Sequence, residues 1–477
     1  MSRVGALLAI LCVACGPSSS PPDASTPDAA VDSCGERAER GCPSSGACEA
    51  GVCRAADLTP LLDREAVRVE CGAPAGALGS GERCEASSDC ASGMCAVSGY
   101  CVDPCGPAGD CEANERCDEV QVRGAGLNTH PTSACLVELS LPPRVEVRRQ
   151  AVSVIEPGRL SCPMQGQEAL FIVQERCAHP LRVSALDVAG QRVFDAEAGV
   201  SLNPLARSYS PFSFWVPSGD WRSEISPARL VLQTDSDSSY SYEVTELTSE
   251  MEGVLLDLDI FYVSLPGVEA QGERGPERVR LALEEVERTF LPAGIQIGDV
   301  RQHEVDGMLG DEYTIVDFDE PGVSVELPEL FRLSAGIAAP SVPVFLVRSV
   351  DFALGLAGGI PGPLGMAGTS GSGIVLSYGV LDTPRELGQA MAHELAHFLG
   401  LFHTTESAGS VREGFVDTPE CPAEADTDGD GFFSSEECAG AGAENLMFWS
   451  PGGEQLSASQ AELLRRAPIL RAGVMGG

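Results

Sequence analysis

The chain has 477 residues and a formal net charge of −39 at neutral pH, from 70 acidic and 31 basic residues. This length allows two or three domains, each large enough for a hydrophobic core. So much negative charge would repel phosphate groups, which argues against nucleic acid as a partner.

The N-terminus is typical of an exported protein. Residues 1–15 carry one arginine and then an apolar run too short to span a bilayer, which predicts a signal peptide. The context of Cys15 resembles that of the lipidated cysteine in bacterial lipoproteins, although Cys12 stands where leucine is usual. Residues 16–33, rich in serine, proline and alanine, are predicted to be a linker. We expect an outer-membrane or cell-surface lipoprotein that contacts the membrane only through its anchor, or, with an ordinary signal peptide, an extracellular protein.

Residues 34–135 form a predicted disulfide-rich region with thirteen cysteines. An oxidising compartment favours disulfides over zinc fingers, and their connectivity cannot be inferred from the spacing. If Cys12 is removed and Cys15 is lipidated, seventeen of the 19 cysteines remain, so one thiol is left over. We expect this thiol among the nine cysteines from Cys71 to Cys135. The spacing also suggests a repeat, in which Cys34, Cys42, Cys48 and Cys53 correspond to Cys84, Cys90, Cys95 and Cys101.

Residues 136–250 are predicted to form a β-sandwich-like domain. Strand-like runs cover 169–173 and 240–244, and Cys162 and Cys177 are close enough in sequence to pair.

The segment 251–477 mixes predicted strands and helices. Strands are expected at 254–263, 294–300, 342–350 and 374–377, and a helix at 276–291. A second helix should begin at Thr383, where Pro384 follows and Glu386 completes a capping box. The whole chain is therefore expected to be a multidomain protein with an α+β C-terminal domain.

The eleven residues HELAHFLGLFH, from His393 to His403, predict a catalytic zinc site. His393 and His397 are four residues apart and share one face of a helix, where Glu394 can act as the general base. Gly400 ends the helix so that His403 can supply a third ligand. Three protein ligands leave one coordination position open, as in catalytic and not structural zinc sites.

A second metal site is predicted between Cys421 and Cys438. The aspartates, glycine and glutamate have the spacing of a twelve-residue EF-hand loop that binds calcium through oxygen ligands. The flanking sequence lacks long amphipathic helices, so we expect a single structural calcium loop closed by a disulfide. The alternative is a solvated acidic loop. The predicted calcium ligands are Asp426, Asp428, Asp430 and Glu437.

The C-terminal half, from about residue 250, resembles the metzincin clan of zinc metallopeptidases, whose motif H-E-x-x-H-x-x-G-x-x-H matches residues 393–403. Within the clan it is most similar to the pappalysin group, because Thr404, Asp417-Thr418-Pro419 and Asn445-Leu446-Met447 follow in order. The resemblance implies a zincin-like fold, a Met-turn at Met447 and an edge strand within 354–373 to which substrate adds. Where the pappalysin turn usually has tyrosine, this chain has Trp449.

The function expected from these patterns is that of an exported zinc endopeptidase acting on protein or peptide substrates. The alternative is a surface binding protein with an inactive peptidase-like domain, which the presence of Glu394 disfavours. The resemblance also raises the alternative that the surplus cysteine thiolate keeps the enzyme latent by binding zinc.

Overall fold

The computed structural model shows an α+β protein with a disulfide-rich region and several β-sheets. The predicted signal peptide, Cys15, the predicted linker and most of the first predicted cysteine repeat lie outside the residues that the structure describes. Those are 52–55; 69–249 apart from 106–110, 112–113, 125–127, 152, 157–158, 165–167, 176–182, 199, 202–210, 221–227 and 235–241; and 254–473 apart from 269, 271, 273, 319–323 and 411–412.

Two small antiparallel sheets organise the disulfide-rich region. One pairs β1 (Val52–Ala55) with β2 (Val69–Gly72), and the other has the order β3-β5-β4. Its strands are β3 (Asp103–Pro104), β4 (Glu115–Arg123) and β5 (Thr129–Val137).

Disulfides confirm the prediction for this region. Cys84 pairs with Cys95, Cys90 with Cys101, Cys105 with Cys117 and Cys111 with Cys135. These pairs occupy eight of the nine cysteines among which the surplus thiol is predicted, and the side chain of the ninth, Cys71, lies outside the described part of the chain. Among the described residues, Cys162 is a free and buried cysteine. Cys177, the partner suggested for it by the sequence, lies outside the residues that the structure describes.

Two sheets between residues 145 and 249 share one hydrophobic core. The six-stranded sheet has the order β12-β11-β10-β14-β8-β7 and the four-stranded sheet has the order β13-β9-β15-β6. The core between them contains Phe171 and Phe214 from the smaller sheet and Leu186 and Leu230 from the larger one. This is the arrangement of a β-sandwich. The strands are β6 (Val145–Ala151), β7 (Ser153–Glu156), β8 (Arg159–Met164), β9 (Ala169–Glu175), β10 (Val183–Val188), β11 (Gln191–Asp195), β12 (Val200–Ser201), β13 (Phe212–Val216), β14 (Ala228–Thr234) and β15 (Tyr242–Ser249).

The strands β9 and β13 of the four-stranded sheet are buried on both faces over residues 169–173 and 212–216. Leu170, Ile172, Trp215 and Leu247 point away from the sandwich core and join the hydrophobic core of residues 254–473. The predicted β-sandwich-like domain therefore packs through this sheet directly against the C-terminal half, with which it shares one hydrophobic core.

The C-terminal half is built on a five-stranded sheet with the order β17-β16-β19-β22-β21, in which only β21 is antiparallel to its neighbour. Its strands are β16 (Leu255–Val263), β17 (Gln296–Val305), β19 (Val342–Val347), β21 (Gly355–Ala357) and β22 (Ile374–Ser377); β18 (Ile315–Val316) pairs with β20 (Ser349–Val350). The helices are α1 (Glu277–Phe290), α2 (Gly307–Tyr313), α3 (Glu326–Arg332), α4 (Pro384–Leu399) and α5 (Ala458–Arg465).

The helix α4 begins where the capping box predicted. The Thr383 hydroxyl accepts from the Glu386 backbone N–H at 3.1 Å, and the Glu386 carboxylate accepts from the Thr383 N–H at 2.9 Å. Close packing against α1 is possible because Gly388 has no side chain: a Cβ there would lie 2.5 Å from the Cβ of Glu285. Residues 393–399 of the predicted zinc motif therefore lie on a helix that is fixed at its start and along its length.

Among the described residues, no helix combines the length and the apolar character needed to cross a membrane.

Candidate metal centre

Three imidazoles converge at the end of α4. His393 and His397 lie one helical turn apart, and Gly400, with φ at 122°, ends the helix and turns the chain toward His403. The Nε2 atom of His403 lies 3.1 Å from the Nε2 atoms of both other histidines. All three side chains are buried. The spacing of the motif thus brings the predicted ligands together.

The other ring nitrogen of each histidine has its own acceptor. The Nδ1 of His393 lies 2.7 Å from the Leu446 carbonyl oxygen, and that of His397 lies 2.7 Å from the Leu401 carbonyl oxygen. Carbonyl oxygens only accept, so both Nδ1 atoms carry the proton and both Nε2 atoms present a lone pair. The Glu406 carboxylate accepts the hydrogen bond from Nδ1 of His403 in the same way, at 2.9 Å.

This donor set fits zinc. Three lone pairs that face one another repel unless a cation lies between them. Zinc–nitrogen bonds of about 2.0–2.1 Å in a tetrahedron place the nitrogens roughly 3.3–3.4 Å apart, close to the observed separation. Burial and the neighbouring His403 lower the pKa of His393 to about 3, and burial with both neighbouring rings holds that of His397 well below its usual value. The rings of His393 and His397 therefore stay neutral, as metal ligation requires.

Glu394 lies between the imidazoles and the edge strand β21. Its carboxyl group is buried and accepts a hydrogen bond from the Ala357 backbone N–H, while Oε2 has no partner. Burial raises the pKa of Glu394 to about 8. The strand runs very close to it, since a Cβ on Gly355 would lie 2.7 Å from the Glu394 Cγ. A cleft beside this carboxyl is lined by Leu354, Gln389, Ala390, His393, Glu394, Leu446, Pro451, Gly452 and Gly453.

The turn around Met447 supports the histidines. Asn445 Oδ1 accepts from the Met447 N–H at 2.8 Å, and the Met447 carbonyl accepts from the Thr404 N–H at 2.9 Å. Trp449 is buried and donates its indole N–H to the Phe433 carbonyl at 2.7 Å. Trp449 therefore links the Met447 turn to the acidic loop between Cys421 and Cys438, and its indole N–H is not free to donate into the cleft.

The acidic loop brings together three of its four predicted ligands. Carboxylate oxygens of Asp426, Asp428 and Glu437 lie within 4.8 Å of one another, whereas Asp430 is outside this group and caps the Phe432 N–H. Gly431, at the sixth position, has φ at 77°, as the sharp turn of such a loop requires. The predicted disulfide between Cys421 and Cys438 closes the loop.

The sequence does not mark the groups that orient the three imidazoles. Glu406 follows His403 by three residues, but no spacing rule marks it. The acceptors on Leu401 and Leu446 are backbone carbonyls, which every residue has, so the sequence carries no signal for them.

The buried thiol of Cys162 lies in the sandwich core. Burial raises the pKa of this thiol to about 12, which disfavours the thiolate that the latency alternative needs.

No protein-family model and no curated protein matches this chain. Matching solved structures include a family two carbohydrate esterase from Clostridium thermocellum in complex with cellohexaose, with 10% identity over 43% of this chain and 66% of that one and a TM-score of 0.12. An acetyl xylan esterase (Est2A) from Butyrivibrio proteoclasticus has 10% identity over 43% of this chain and 60% of its own, with a TM-score of 0.13. This chain thus spans less than two thirds of both. At such TM-scores neither a common fold nor a common activity follows.

Proposed function

We propose that this protein is a zinc-dependent endopeptidase with a metzincin-like catalytic part, as its resemblance to the pappalysin group implies. The observation that carries the proposal is the convergence of three Nε2 atoms, 3.1 Å from His403 to each of the others, beside a buried glutamate. His393, His397 and His403 would hold zinc. Zinc would supply a Lewis acid that polarises the scissile carbonyl and makes water acidic enough to be deprotonated near neutral pH.

Glu394 would be the general base. The Ala357 N–H holds its carboxyl group in place, and Oε2 has no competing partner. Burial alone favours the protonated form of Glu394, but a zinc ion held by the neighbouring imidazoles would favour the carboxylate. The carboxylate oxygen could then accept the proton of the attacking water and later deliver it to the leaving amine. Peptide hydrolysis requires both transfers.

The edge strand supports a peptide as the substrate. β21 pairs with β22 on one side and ends the five-stranded sheet on the other. An extended peptide can add to such an edge through backbone hydrogen bonds, and here it would run next to Glu394. A protein or peptide chain is thus the substrate class that suits this cleft.

The test is the substitution Glu394→Gln, which keeps the size of the side chain and removes the proton acceptor. Cleavage of a peptide library should fall by roughly 10²–10⁴-fold or more while one zinc ion stays bound. Glu386→Gln, on the same helix, is the matched control, because glutamine also serves in a capping box. Unchanged cleavage by Glu394→Gln would exclude the general-base role, and a wild-type protein without zinc would exclude the metal site.

We also propose a structural calcium ion in the acidic loop. Its ligands would be Asp426, Asp428, Asp430 and Glu437, and the convergence of three of these four carboxylates supports the assignment.

We further propose that the protein is exported with Cys15 as a lipid anchor and that it has no nucleic-acid partner. Intact-mass measurement of the mature protein tests the lipid, since a diacylglycerol on Cys15 and loss of residues 1–14 give a defined mass.

A further inference from the structure

Trp215 reaches from the β-sandwich to the end of the metal-binding helix. Alternate residues of β13 face opposite ways, so Phe214 enters the sandwich core while Trp215 enters the core of residues 254–473. The indole Nε1–H donates to the Leu399 carbonyl oxygen at 3.0 Å. Leu399 is the last residue of α4, and its carbonyl is one of the four that a helix leaves without a partner of its own. A residue of the sandwich therefore caps this helix.

The indole also packs against the glycine of the metal motif. A Cβ on Gly400 would lie 2.5 Å from the Cδ1 and Nε1 atoms of Trp215, which is closer than real Cβ contacts allow. With φ at 122°, the backbone at this position already favours glycine. Trp215 adds a second, steric requirement.

The capped segment leads directly to two metal ligands. Leu401, two residues after Leu399, gives the carbonyl that orients the His397 ring. His403 follows two residues later. A displacement at Leu399 would therefore move both the acceptor of one ligand and the backbone of another.

A second contact of the same sandwich segment lies on the far side of His403. The Asp220 N–H donates to the Gly414 carbonyl at 3.0 Å, and the Asp220 carboxylate accepts from the Val416 N–H at 2.7 Å. Residues 215–220 thus hold the chain both before and after the third histidine.

We propose that Trp215 is a positioning residue of the metal centre, and that the sandwich completes this centre instead of serving as a separate module. Trp215 fixes the turn from Leu399 to His403, and the geometry of His397 and His403 depends on it. This inference rests on the proposed function in so far as the ion is zinc.

The test compares Trp215→Phe with Leu247→Ala. Phenylalanine keeps an aromatic ring and loses the N–H donor. The apparent zinc affinity, measured by competition with a chelator, should fall by up to about 10-fold, the lower end of the loss caused by removing a direct partner of a ligating histidine, because Trp215 acts on the histidines through the Leu399–His403 turn. The absorption spectrum of the cobalt-substituted protein should change as well, because it reports ligand geometry.

Leu247 is the matched control. It is paired with Leu170, which is paired with Trp215, so the three residues form one row across the sheet and face the same core. Leucine donates no side-chain hydrogen bond. Leu247→Ala should therefore lower the melting temperature and leave the zinc affinity and the cobalt spectrum of the folded protein unchanged.

Equal zinc affinity in Trp215→Phe and the wild type, or an equal loss in Leu247→Ala, would overturn the proposal. A wild-type protein that binds no zinc would instead contradict the proposed function. If Trp215→Phe does not fold, the wild type labelled with ¹⁵N in its three tryptophans replaces it. Zinc should then shift the Trp215 indole N–H signal and slow its exchange, and an unaltered signal would also overturn the proposal.

Discussion

Each of the three imidazoles is oriented by a different acceptor, and only one of these is a side chain. The Glu406 carboxylate lies 2.9 Å from the Nδ1 of His403. A carboxylate in this position fixes the tautomer and makes the ring a stronger ligand. The two carbonyl acceptors cannot be removed by substitution, so Glu406 is where the orientation of a ligand can be tested directly.

Glu406→Ala should weaken zinc binding by about 10–100-fold, because His403 loses its acceptor and its fixed tautomer. Glu406→Gln keeps an oxygen acceptor and should retain more of the affinity. Glu424→Ala, which removes an equal charge from an exposed site, is the control. Chelator competition measures all three affinities. If Glu406→Ala and Glu424→Ala bind zinc alike, the hydrogen bond to His403 does not affect the ligand.

For individual residues, the sequence predicted the contacts that follow from residue spacing alone. His393 and His397 meet because they are four residues apart on a helix, and His403 meets them because Gly400 allows the turn. The partners of the rings depend on tertiary contacts. Leu446 lies 53 residues from the ring that it orients, and no local pattern specifies that contact.

Among the elements, the acidic loop is packed against both the Met447 turn and the segment after His403. Phe433 accepts the Trp449 indole hydrogen bond, and its own N–H donates to the Ser407 carbonyl at 2.9 Å. Order in the loop therefore favours order on both sides of the metal centre.

Calcium should raise the melting temperature of the wild type, by an amount that grows with the logarithm of the free calcium concentration above Kd, because it binds the folded loop and not the unfolded chain. In Glu437→Gln this dependence should be lost or shifted to much higher calcium. Glu436→Gln, at the exposed neighbouring position, should behave as the wild type. Differential scanning fluorimetry at constant free zinc measures the effect. Identical melting curves with and without calcium would identify the loop as an acidic surface turn.

Strands and helices with a clear hydrophobic pattern were predictable from the sequence, and short helices were not. The helix expected at 276–291 is α1, and the strand expected at 374–377 is β22. The strand expected to end at Val300 continues to Val305. The helices α2, α3 and α5 have seven or eight residues, too few for a clear helical period, and were missed.

For the whole molecule, the boundary between the sandwich and the C-terminal half is a buried interface. The apolar residues from Ala169 to Val173 form a continuous run, which is typical of strands covered on both faces. This run is the sequence feature that indicates the buried interface. Four side chains of the four-stranded sheet, including Trp215, enter the hydrophobic core of residues 254–473. At about 1.5–3 kcal/mol each, their burial contributes roughly 6–12 kcal/mol as an upper estimate, which matches the net stability of a typical domain.

The N-terminal disulfide region joins the same assembly from the other side. Val97 and Tyr100 share a hydrophobic cluster with Phe261 of β16. Nearby, Asp259 accepts hydrogen bonds from His303 and Arg301. Burial alone would raise the pKa of Asp259, but these two hydrogen bonds hold it well below its usual range, so the group is ionised. The buried charge is thus paired, and the sheet is packed on this side as well.

These interfaces predict that residues 251–477 do not form a competent metal centre on their own. Expressed alone, this segment would expose the surface that Leu170, Trp215 and Leu247 cover, and it should aggregate or bind zinc at least tenfold more weakly than the full chain. Co-expression with residues 1–250 should restore zinc binding, since the covering sheet returns. A full chain cleaved after folding at a protease site inserted between residues 250 and 251 is the control, because both parts are present and already packed. If the isolated segment were monomeric and bound zinc as tightly as the full chain, the sandwich would be a dispensable module, and the burial of its second face would have no bearing on the metal centre.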